Sequence, residues 1–197
     1  MNVNGNQPTA EGIFTERHTA YRFTPEPVTD AELAHLYELA KFTPTAMNSQ
    51  PLRITFVRSE AGKSRLLPLL SEGNRAKAES APVVAILAAD TDFHEHLPEL
   101  MPQSPGVKDG LAANAERRAK MALNNAWLQS GAFIMAVRAI GLDAGPMGGI
   151  NAAGIDAEFF AGTALKTILV INIGHAAEDG VFPRNPRLSF NEAVALV

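Results

Sequence analysis

The sequence predicts one domain in which helices and strands share a core, on three observations. Leu52, Ile54 and Phe56 alternate with Arg53 and Thr55, the period of a strand with one buried face. Residues 82–89 are almost wholly apolar, the pattern of a central strand covered on both sides. Residues 121–142 form a long apolar helix through Trp127, Gly131, Ile134 and Arg138 that stops at Gly141. A chain of 197 residues with 46% apolar side chains has enough material for one real core.

The remaining elements follow in order. Residues 8–20 suggest a first helix with Thr9 as N-cap, ending in Glu16-Arg17-His18-Thr19. Thr29-Asp30-Ala31-Glu32 is a capping box that opens a helix through Leu33, Leu36, Tyr37 and Ala40, closed by Pro44. Residues 60–71 read as a helix, and Asn74-Arg75-Ala76-Lys77 as polar residues leading into the buried strand. Residues 91–118, with Pro98, Pro102, Pro105, Gly106 and Gly110, read as irregular, a lid or substrate loop. A glycine turn at 145–149, a short helix at 157–161 and a strand at 167–173 come next. Ser189-Phe190-Asn191-Glu192 is a second capping box, opening a terminal helix.

Composition excludes several functions. With 17 basic and 21 acidic residues the net charge is −4 and no basic block stands out, so nucleic acid is not an expected partner. No unbroken apolar run reaches the roughly 18 residues of a membrane span, and residues 1–7 do not read as a signal peptide. The absence of cysteine excludes disulfides and thiolate chemistry and suits a cytoplasmic protein. His94 and His96 would share one face of an extended strand, but with Glu95 alone beside them no metal site is expected.

Four stretches carry candidate chemistry. Arg17-His18-Thr19 offers a guanidinium, an imidazole and a hydroxyl, able to hold an anion or merely to solvate a helix end. Pro44-Thr45-Ala46-Met47-Asn48-Ser49-Gln50-Pro51 is a proline-bracketed loop whose Asn48 and Gln50 carry both donors and acceptors for a heterocycle edge, or for the loop's own turns. Gly145-Pro146-Met147-Gly148-Gly149 lets a backbone approach a flat ligand without a Cβ between, or simply stops a helix. Arg184 and Arg187 sit in a proline-stiffened arm, phosphate ligands or partners of surface acids. Lys77 is either a cation beside a developing negative charge or a solvated lysine.

Taken in order, these stretches resemble the nitroreductase family of FMN-dependent oxidoreductases, from about residue 12 to 197. In that family an Arg-Arg-Ser or Arg-x-Ser/Thr near the N-terminus holds the flavin phosphate and ribityl chain. Arg17-His18-Thr19 stands in that place, with His18 where an arginine is commoner. The family's Pro-Ser/Thr-x-x-Asn-x-Gln-Pro loop is matched by Pro44, Thr45, Asn48 and Gln50, its glycine turn by Pro146, Met147, Gly148 and Gly149, and its basic tail by Arg184 and Arg187. Lys77 stands where many members place a lysine near the flavin N1 and O2 edge.

The resemblance implies a single α+β domain over 1–197 with a central mixed β-sheet flanked by helices. It further implies a homodimer whose C-terminal arm, 176–197, wraps the partner, with FMN in two interface sites. NADPH or NADH would deliver hydride to flavin N5, and N5 would pass it to a small-molecule acceptor, with no catalytic side chain required. Phe93-His94-Glu95-His96-Leu97-Pro98, Gly145-Pro146-Met147 and Phe182-Pro183-Arg184 look like the malonic semialdehyde reductase group, which implies a short carboxylated aldehyde as acceptor. Arg117 and Arg118 in the lid are the candidates to hold its carboxylate. A broad nitroaromatic or quinone reductase, or a flavin-binding protein without turnover, are the alternatives.

Overall fold

The computed structural model describes residues 9–197. The reading of residues 1–7, and residue 8 of the expected first helix, lie outside them.

Among the described residues four strands make one sheet: β1 (Leu52–Val57), β2 (Val83–Asp90), β3 (Asp143–Met147) and β4 (Leu165–Gly174), in the order β1-β2-β4-β3. The expected mixed sheet is corrected: all three pairings are antiparallel. Helices and loops between successive strands carry the chain back so that each neighbour runs the opposite way.

Strand β2 is buried along its whole length because the sheet is covered on both faces. Its Val83, Ala85 and Leu87 enter one core with β4 residues Leu169, Ile171 and Ile173. That core is closed by α1 (Asp30–Ala40) and α6 (Ala115–Ala139) through Leu33, Leu36, Phe133 and Val137. Val84, Ile86 and Ala88 enter the opposite core, closed by α2 (Glu60–Leu66), α3 (Glu72–Ser80) and α7 (Ala152–Phe159) through Leu66, Ala78 and Ile155. Each fully buried aliphatic side chain here contributes about 1.5–3 kcal/mol.

Helix α1 starts where its capping box sets it. Thr29 Oγ1 accepts the Glu32 N–H at 3.2 Å, and Glu32 Oε2 accepts the Thr29 N–H at 2.7 Å. The second box holds likewise, opening α8 (Phe190–Ala193) at Ser189.

Four expectations change. The first helix is only residues 10–16, whose final turn is Gly12–Glu16; Arg17 is already extended, because Ala20 and Phe23 bridge to Val181 and Ala176. Residues 74–77 lie on α3 rather than on a lead-in. Residues 91–118 are mostly helical: a tight turn at Phe93–His96, α4 (Leu97–Leu100), α5 (Val107–Ala112) and the start of α6. Pro98 sits in the first turn of α4, where a missing N–H costs nothing, so the proline that reads as a breaker is a starter. Finally, 143–147 is strand β3, with Pro146 tolerated because β3 is an edge.

Gly145 is needed for close approach, but to the chain itself. Ala20 N–H donates to Ala144 O at 3.0 Å, and a Cβ on Gly145 would strike the Ala20 carbonyl oxygen.

Candidate functional site

Because Arg17 leaves the first helix extended, residues 17–19 run beside the tail at 182–187. Between them lies a cavity of about 270 Å³ that brings together Arg17, His18, Thr19, Lys77, Arg184 and Arg187. These six sequence-predicted residues come from three separate parts of the chain.

Five of them are positioned by backbone carbonyls, one acid or one side-chain amide. Arg17 Nη1 lies 3.0 Å from Asp143 Oδ1, and its Nη2 donates to Gly141 O at 3.4 Å. His18 Nδ1 is 2.9 Å from Phe182 O; a carbonyl only accepts, so Nδ1 carries the proton. Arg184 Nη2 donates to Thr15 O at 2.6 Å and Arg17 O at 2.8 Å, tying the tail to the N-terminal segment. Arg187 donates to Asn185 O and Pro186 O and stays exposed. Lys77 Nζ is held by Asn74 Oδ1 at 3.2 Å, and Asn74 Nδ2 donates to Gly149 O at 3.1 Å, which links α3 to the glycine loop. That loop is tight: a Cβ on Gly149 would come within 2.6 Å of Ser71 Oγ. Gly148 and Gly149 are exposed past the end of β3, Met147 is buried, and Pro146 is half-buried.

Tyr21, Phe182 and Arg138 also line this cavity, though the sequence does not mark them as site candidates. Tyr21 stacks on Phe182 with ring centroids 4.1 Å apart, and the two form an apolar wall. Arg138, in the last turn of α6, also faces the cavity. Burial first, then the Arg184 and Arg17 charges, push its pKa below the usual arginine value, while Asp143 opposes them. On sequence alone Arg138 is an ordinary C-terminal-turn cation.

The polar loop 44–51 lies elsewhere in the subunit. Met47, Asn48 and Gln50 all have left-handed backbone, at φ 57°, 48° and 40°. Such conformations cost on the order of 1 kcal/mol or more each and persist only where surroundings enforce them. Here α6 does so: Asn125 Oδ1 accepts the Ala46 N–H at 2.8 Å, and Gln129 Oε1 accepts the Leu52 N–H at 3.0 Å. Thr45 Oγ1 accepts the Gln50 N–H, Gln50 Nε2 donates to Asn48 Oδ1, and Asn48 Nδ2 reaches Leu100 O. Pro44 is exposed at the loop's start. Gln50 opens onto a second groove of about 470 Å³ shared with Tyr37, Lys41, Arg53 and His96. Within one subunit, then, neither 44–50 nor 146–149 lines the arginine cavity.

The segment 93–118 sits over a third small core of Phe93, Leu97, Leu111 and Ala122. Lys108 bonds Glu95 at 2.6 Å, which lowers the pKa of Glu95 and raises that of Lys108. Arg118 donates to the carbonyls of Thr91, Leu111 and Ala112 and pairs with Asp92. Its guanidinium is therefore engaged in holding the segment together, whereas Arg117 is exposed. His94 is buried in a tight helical turn rather than an extended strand.

The nitroreductase family model matches residues 14–175. A proposed NADH dehydrogenase/NAD(P)H nitroreductase of Leptothrix cholodnii is 49% identical over 185 residues, covering 94% of each chain. Another, from Streptomyces coelicolor, is 49% identical over 199 residues and covers 98% of each. Among solved structures, a proposed nitroreductase of Exiguobacterium sibiricum in complex with FMN matches at TM-score 0.86 with 23% identity, over 99% of this chain and 100% of its own. An enone reductase of gut-bacterial fatty acid saturation matches at TM-score 0.82 with 18% identity, over 100% of both, a likeness of fold alone. With a family match across most of its length and full-length relatives at nearly half identity, the chain belongs to the nitroreductase family.

Proposed function

We propose that this protein is an FMN-dependent NAD(P)H oxidoreductase acting as a homodimer. The observation that carries the reading is the gathering of Arg17, His18, Thr19, Lys77, Arg184 and Arg187 around one cavity. The residues fit an anionic flavin: the donors lining the cavity are cations and a hydroxyl.

Arg17, Arg184 and Arg187 would hold the phosphate, with Thr19 beside them. Lys77, oriented by Asn74, supplies a second cationic edge, and exposed Gly148 and Gly149 offer backbone to a flat ring. When bound, FMN supplies hydride transfer through its N5. Asn48 and Gln50 belong to this reading only if the partner subunit presents its 44–51 loop, since within one chain that loop faces another groove.

Exposed apolar side chains support that partner. Trp127, Leu123 and Leu128 project from α6, Tyr37 and Leu39 from α1, and Phe42 from just beyond it. Phe182, Leu188, Phe190 and Leu196 in the tail are all more than 60% exposed, which suits an arm laid on a second copy.

For the acceptor, a short acid bearing an aldehyde, of the malonic semialdehyde type, is the favoured class. The segment 93–118 offers Arg117 for its carboxylate; Arg118 is already engaged. The absorbance spectrum of purified protein tests the cofactor: bands at roughly 370 and 450 nm report oxidised flavin. NADPH or NADH oxidation with and without acceptor then separates an enzyme from a flavin carrier.

A further inference from the structure

The arginine cavity contains a donor that the chain leaves unmet. Arg138 Nη1 donates to Ile13 O at 3.3 Å, but its Nε is sealed from solvent and has no acceptor among the described residues. Arg138 is nonetheless only half-buried and lines the cavity, so a ligand there would meet the open part of its side chain rather than the sealed Nε. Its neighbours point to the sign of that ligand. Arg17 and Arg184 add positive charge around Arg138, and Asp143 alone opposes them. Asp143 is itself engaged by Arg17 and by the Ala176 N–H.

We propose that Arg138 is a further phosphate-binding residue of this cavity, its guanidinium meeting a phosphate monoester that Arg17 and Arg184 also grip. The inference rests on the FMN reading above. Five cations, Arg17, Lys77, Arg138, Arg184 and Arg187, line the cavity with Asp143 as the acid beside them, an excess that suits a phosphate monoester of charge about −1.5 to −2 better than a singly charged carboxylate. Arg138, in the last turn of α6, is half-buried, whereas Arg187 is exposed.

Arg138→Met keeps the apolar stem and removes the guanidinium; Arg138→Lys keeps charge without the planar guanidinium fork. Flavin-fluorescence titration of both variants and the parent, stripped of flavin, measures FMN and riboflavin, which lacks the phosphate. Arg138→Met is expected to weaken FMN roughly 10- to 100-fold and leave riboflavin within about twofold, with Arg138→Lys in between. Unchanged FMN affinity, or equal losses for both flavins, overturns the assignment. If Arg138→Met does not fold, the FMN-to-riboflavin ratio of Arg138→Lys decides. Inorganic phosphate alone separates this inference from the flavin reading. Should the parent bind no flavin, a phosphate-induced rise in Tm that Arg138→Lys diminishes supports Arg138 while the flavin reading falls. No such rise overturns both.

Discussion

Arg17 Nη1 and Asp143 Oδ1 are 3.0 Å apart, and the other oxygen of Asp143 accepts the Ala176 N–H at the same distance. One carboxylate thus joins the N-terminal segment, the start of β3 and the start of the tail. It also offsets part of the positive charge in the cavity. Asp143→Asn is therefore expected to lower Tm by about 2–4 °C while holding FMN at least as tightly as the parent. Calorimetry and flavin titration check both halves; weaker FMN binding would show that Asp143 matters more for aiming Arg17 than for its charge.

Replacing Arg17 or Arg187 by alanine should weaken FMN by about 1.5–3 kcal/mol and riboflavin far less. Arg17 is anchored on both sides, whereas Arg187 bonds only carbonyls of its own turn, so the Arg17 loss should be the larger. Equal losses for the two flavins would remove both side chains from the phosphate site.

Gly145→Ala introduces a methyl group into the Ala20 carbonyl, and the backbone on either side cannot step away without breaking the Ala20–Ala144 hydrogen bond. A cost of about 1–3 kcal/mol is expected. Because residues 17–19 lead directly into that bond, FMN retention should fall with it. Denaturant unfolding and flavin content on gel filtration measure the two effects, and a variant of unchanged stability would contradict the packing.

Trp127→Asp on the exposed face of α6 should convert dimer to monomer in sedimentation velocity and release the flavin with it. A monomeric variant with full flavin occupancy would rule out a site shared between subunits.

Malonic semialdehyde should exceed propanal in kcat/KM under NADPH, and Arg117→Ala should narrow the gap. One exposed charge-assisted hydrogen bond predicts a change of roughly tenfold. Equal kcat/KM for the two aldehydes in the parent protein would sink the carboxylate-holding role.

How far the sequence revealed this molecule depended on whether the signal was local. The two capping boxes, the apolar run that became β2 and the long helix α6 are written in neighbouring residues; the first three appear within a few positions of where the sequence put them, and α6 starts at Ala115, ahead of the expected 121. Strand direction is not local, so the antiparallel sheet was invisible in the run lengths. Prolines misled in one direction: in 91–118 they start or separate short helices rather than preclude them. For the site, the arginine, histidine and threonine of the N-terminal motif were legible as a set. Arg138 was not, since nothing in a helical period reveals that one arginine points at two others more than forty residues away in sequence.

The cavity is assembled from residues 17–19, 77, 138 and 182–187, and residues 20–23 reach the sheet only by bridging to 176–181 and to Ala144. A ribosome therefore delivers the wall at residues 17–19 long before the wall at 182–187. The nascent chain has no complete ring of cations around this cavity until Arg187 has emerged. A chain cut short before residue 182 would keep all four strands of its sheet yet lack the tail arginines of the cavity.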